Sequence, residues 1–71
     1  MTQTEKLKEK MQLALQNAGT LRLVSFIAAA TAAKMEPTMA QTSLRKFLDD
    51  GVFKVEDIQE SLKEHLGIAE I

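Results

Sequence analysis

The only histidine, His65, stands four residues after Ser61. On a helix that spacing brings hydroxyl and imidazole onto one face, where a base can activate a nucleophile. A working pair also needs a residue that orients the imidazole, and none is evident beyond Glu64, the sequence neighbour of His65. With no cysteine there is no thiolate nucleophile, and the spaced His and Cys ligands of a zinc site are missing. Asp49-Asp50-Gly51 invites a calcium-loop reading. If Gly51 held the sixth position of such a loop, the first and third would be Lys46 and Leu48, where oxygen ligands are required. Gly19, Gly51 and Gly67 are too far apart to form a phosphate-cradling loop. The expectation is a chain that is not an enzyme and takes no metal or other cofactor.

Charge points to partners instead of substrates. Residues 1–34 carry Lys6, Lys8, Lys10, Arg22 and Lys34 against Glu5 and Glu9, a net +3. Residues 35–71 set Arg45, Lys46, Lys54 and Lys63 against eight carboxylates, a net −4. Such an asymmetry can simply mark solvated faces; it can also steer a charged partner or align copies head to tail. A nucleic-acid reading draws on Lys6, Lys8, Lys10, Arg45 and Lys46, and on the helix-turn-helix outline of residues 38–66. Against it, the last helix would present Glu56, Asp57, Glu60 and Glu64 to phosphates, with Lys63 the one cation among them. No Trp or Tyr is available to stack on bases.

The elements that must position these residues are all helical. Leu7, Met11, Ala14, Leu15 and Ala18 form a stripe on a helix over 4–18, with Leu13 projecting away from it. A second helix over 20–35, with Thr20 as its N-cap, is apolar almost all round and is therefore expected at the centre of the fold. Its bulky side is Leu21, Val24, Ile27, Ala28, Thr31 and Met35, and Phe26 lies off that side. Glu36-Pro37 ends it. Thr38 then caps a helix over 38–49 with an apolar face of Ala40, Leu44, Phe47 and Leu48, stopped by Gly51. The last helix covers 55–66 with the stripe Val55, Ile58, Leu62 and Leu66. The fold class is all-α: one small four-helix domain over 1–71 with short connections.

Seventy-one residues make a thin core, and self-association is a common remedy. The apolar run near Leu21 is shorter than the roughly 20 residues a bilayer requires. Basic residues followed by an alanine-rich run also outline a secretory leader, but Gln12, Gln16 and Asn17 interrupt it. The absence of cysteine fits a reducing compartment, so a cytoplasmic location is expected. The expected function is that of a small non-catalytic protein-interaction module, self-associating and acting by helix-face docking. Its candidate contacts are Leu13, the Met35 and Met39 region beside the Pro37 break, and the terminal Ile68 and Ile71. The alternative is a DNA-binding regulator using the 38–66 hairpin.

Overall fold

The structure, a computed structural model, describes residues 2–67. Ile68 and Ile71 lie outside the described residues. The described residues form four helices, α1 Gln3–Ala18, α2 Leu23–Ala32, α3 Pro37–Asp49 and α4 Glu60–Leu66, with a 3-10 turn at Val55–Asp57 before the last.

Helix α1 begins on a reciprocal cap. The Thr2 hydroxyl accepts from the Glu5 amide at 3.1 Å and donates to the Glu5 carboxylate at 3.2 Å. Leu7 and Met11 are fully buried, and Ala14 and Leu15 pack partly buried against the same core. Gly19, at φ 75°, ends the helix by donating its amide to Leu15 O at 2.7 Å.

Helix α2 departs from the expected 20–35 at both ends. Thr20 does not cap it: the hydroxyl donates to Asp57 O at 3.0 Å, and Arg22 holds the N-cap position without a side-chain hydrogen bond. The main chain of Leu21 is occupied as well. It donates to Asp57 O at 2.7 Å and accepts from the Gln59 amide at 2.8 Å, a short parallel bridge that excludes Leu21 from the helix.

At the other end α2 stops at Ala32, ahead of Pro37. Lys34 takes a left-handed φ of 57° and donates its amide to Thr31 O, while Met35 donates to Ala30 O, each at 3.0 Å. This is a Schellman ending with lysine where glycine is usual. Pro37 is then the first residue of α3, with Glu36 rather than Thr38 at the N-cap. A proline there lacks only an amide that would have had no helical partner.

The buried side of α2 is also not the one expected. Phe26, Ala29, Ala30 and Ala33 face the core, whereas Val24 is 74% exposed and Ile27 50%. Leu21 and Met35 are buried, but from the connections on either side of the helix.

Helix α3 buries Ala40, Leu44 and Phe47 as its periodicity implies. It closes in a second Schellman motif, Gly51 donating to Leu48 O at 3.2 Å and Val52 to Phe47 O at 2.9 Å. That turn brings Phe53 edge-on to Phe47, ring centres 5.9 Å apart. The expected helix over 55–66 is divided. Ile58 is extended, since the carbonyl of Asp57 and the amide of Gln59 on either side of it are bonded to Leu21, and α4 starts only at Glu60. Ile58, Leu62 and Leu66 complete the core, while Val55 stays half exposed.

Candidate functional site

The surface that stands out is the open side of α2. No residue from Leu23 to Ala32 is charged, yet Val24, Ile27, Ala28 and Thr31, at helical spacing, all face solvent. An apolar helix face is ordinarily the part of a helix that is covered. Here the remaining helices cover only the Phe26 side.

Beside this face lies a cleft of about 220 Å³, lined by Phe26, Ile27, Ala30, Thr31, Met35, Pro37 and His65. Three local features shape it. The Schellman ending of α2 turns Met35 inward, Pro37 starts α3 at the rim, and the last turn of α4 brings His65 edge-on to Phe26 at 5.9 Å between ring centres. The cleft is almost wholly apolar, a lining suited to an aliphatic or aromatic side chain.

One clamp fixes the α4 side of the cleft. Gln41 and Arg45, one turn apart on α3, both reach the last turn of α4. The Gln41 amide nitrogen lies 2.9 Å from His65 Nε2 and 3.4 Å from His65 O, and the Arg45 guanidinium donates to Leu66 O. Ser61 donates instead to Gln59 Oε1 at 3.3 Å, so hydroxyl and imidazole are engaged with different partners. Among the described residues no group of three or more His, Asp or Glu lies close enough to hold a metal ion.

The other candidates are dispersed. Leu13 is 53% exposed on α1, with Glu9, Lys10, Gln12 and Gln16 around it, a polar setting. Met39 is 57% exposed on the first turn of α3, while Met35 is buried and lines the cleft. Lys6 and Lys10 are exposed one turn apart on α1, Lys8 is half-buried round the helix from them, and Lys46 is exposed on α3. The 38–66 hairpin is looser than a helix-turn-helix of three or four linking residues, since residues 50–59 separate α3 from α4. Among the described residues no helix is long and apolar enough to cross a membrane.

Val24 and Ile27 were missed as surface residues because an uncharged helix reads as a buried one. A signal was nevertheless present: a chain of 71 residues has few elements with which to surround a central helix. Comparison with protein-family models, with curated proteins and with solved structures gives no match, so the reading of function rests on this surface alone.

Proposed function

We propose that this protein is a small non-catalytic interaction module that docks a protein partner on the open face of α2 and in the adjoining cleft. The observation that carries the reading is the exposure of Val24 and Ile27 on a helix with no charge, next to a cleft lined by Phe26, Met35 and Pro37. An amphipathic partner helix can lay anchors at three- and four-residue spacing along such a face. Burying Val24 and Ile27 would contribute roughly 1.5–3 kcal/mol each at most, so these two alone support only a weak complex and the cleft must supply a further anchor. In this reading Met39, exposed on the first turn of α3, lies outside the cleft lining, and Leu13 takes no part. The lack of cysteine suits action in the cytoplasm.

The test is a pull-down with tagged full-length chain from native lysate, in nuclease-treated and untreated halves. The wild type, Val24→Glu/Ile27→Glu and Leu13→Glu are compared. The reading expects a nuclease-resistant partner that the double variant loses and Leu13→Glu keeps. Capture that vanishes with nuclease and survives the double variant would replace it with the DNA-binding alternative, carried by Lys6, Lys10 and Lys46.

A further inference from the structure

The wall of the apolar cleft formed by His65 is also where the chain leaves α4. Two residues later Gly67, at φ 73°, ends the helix with its amide on Glu64 O at 3.1 Å. The exit lies along α3. Gln41 donates to His65 O and Arg45 to Leu66 O, and a Cβ on Gly67 would stand 3.6 Å from the Arg45 guanidinium. Pro37, Gln41 and Arg45 are spaced four residues apart and share one face of α3, and Pro37 is itself part of the cleft lining. That face therefore leads from the exit back to the cleft, a rise of about 12 Å along the helix axis. Ile68, Ala69, Glu70 and Ile71 follow Gly67 in the sequence. Extended, a segment of that length spans at most about 13–14 Å, which is enough chain to bring Ile71 to the cleft.

We propose that the chain's own segment 68–71 folds back along α3 and sets the Ile71 side chain in the cleft, against Phe26, Thr31 and His65. The cleft suits a side chain of this kind. It is about 220 Å³ in volume and almost wholly apolar, and Ile27, Thr31, Pro37 and His65 on its lining are exposed. The tether favours this occupant over a free one, because a segment joined to the cleft wall by a few residues competes at an effective concentration on the order of millimolar. The hold is weak, since the gain from one buried aliphatic side chain is largely offset by ordering the residues that carry it. A strap held so weakly is displaced by a better anchor. This consequence rests on the docking reading above: segment 68–71 closes the cleft in the free chain, leaves Val24 and Ala28 open for first contact, and yields the cleft as the partner's anchor enters.

The experiment is NOE spectroscopy on the full chain with carbon-13 in the isoleucine δ1 methyls. The sequence has four isoleucines, Ile27, Ile58, Ile68 and Ile71, and the signal lost in Ile71→Ser identifies the last. The Ile71 methyl is expected to show cross-peaks to the rings of Phe26 and His65 and to the Thr31 methyl. Ile71→Ser should shift the His65 ring and Ala30 methyl resonances and leave those of buried Leu7 and Met11 on α1 in place, with the helical content unchanged by circular dichroism. In an equal mixture of labelled and unlabelled chains, isotope-filtered spectra should show no such cross-peak between molecules. An Ile71 methyl without cross-peaks to the cleft lining overturns the proposal, as do cleft resonances that Ile71→Ser leaves unmoved. Cross-peaks that arise only between molecules also overturn it and make the occupant a second copy. If the cross-peaks are absent yet Val24→Glu/Ile27→Glu still loses a nuclease-resistant partner, the docking reading stands and the strap fails. Cross-peaks within one chain together with a partner that the double variant keeps give the reverse.

Discussion

Leu21 and Ile58, 37 positions apart, are joined by a parallel main-chain bridge in an otherwise helical fold. The Leu21 amide donates to Asp57 O at 2.7 Å and its carbonyl accepts from the Gln59 amide at 2.8 Å, with the Thr20 hydroxyl on Asp57 O at 3.0 Å. Both side chains are buried, so the bridge pins the entry to α2 against the entry to α4. Amides held in this way exchange only when the surrounding core opens. In native-state hydrogen exchange the amides of Leu21 and Gln59 should therefore be protected like those of the helix interiors. Exchange at the rate of a surface loop would show that the bridge does not form in solution.

Lys34 closes α2 at φ 57°, a conformation that costs a residue with a Cβ roughly 1–2 kcal/mol and glycine little. Lys34→Gly should raise stability by about 1 kcal/mol, which for a domain of this size is a rise in Tm of roughly 4–8 °C. Lys34→Ala, which keeps the Cβ, should give no such gain. Thermal unfolding of the two variants side by side checks this, and equal behaviour would remove backbone strain from the account.

Val24 lacks the cover expected for the bulky side of α2, whereas Phe26, off that side, is buried. Phe26 is buried against the core and Val24 is mostly solvent-exposed. Phe26→Ala should cost about 3–5 kcal/mol, a large share of the stability of so small a domain. Val24→Ala should change stability by no more than about 0.5 kcal/mol. Chemical denaturation of both variants decides which side of α2 faces inward, and a reversed order would mean that the helix is rotated.

Arg45 and Gln41 hold the last turn of α4 through the carbonyls of Leu66 and His65. A helix of seven residues is far too short to persist in water without tertiary support. Arg45→Ala should destabilise the chain by about 1 kcal/mol, the ordinary net value of a hydrogen bond, since its long side chain also loses entropy when held. The faster exchange that results should centre on α4 and leave α1 unchanged. If α1 and α4 loosen together, the clamp is not local.

The helical class was legible because it rests on local rules. The stripes Leu7, Met11 and Ala40, Leu44, Phe47 repeat at helical spacing, and the stops at Gly19, Gly51 and Gly67 follow from the freedom of glycine at positive φ. The apolar cleft was only partly legible. Pro37 and Met35 marked a break with bulky residues beside it, but its far wall, Phe26 and His65, comes from α2 and from the end of α4, and no spacing within one segment joins them.

By itself the sequence determined four helical segments and most of their breaks, since periodicity and backbone restriction act within a few residues. Tertiary structure alone decided which side of α2 is covered. A wheel apolar on every side holds no phase, and only packing against the other helices selects Phe26 over Val24 and Ile27. It also decided where α2 begins and why the segment after Lys54 breaks at Ile58: the two stretches share main-chain hydrogen bonds across 36 and 38 positions, and a bond of that range leaves no mark on local spacing.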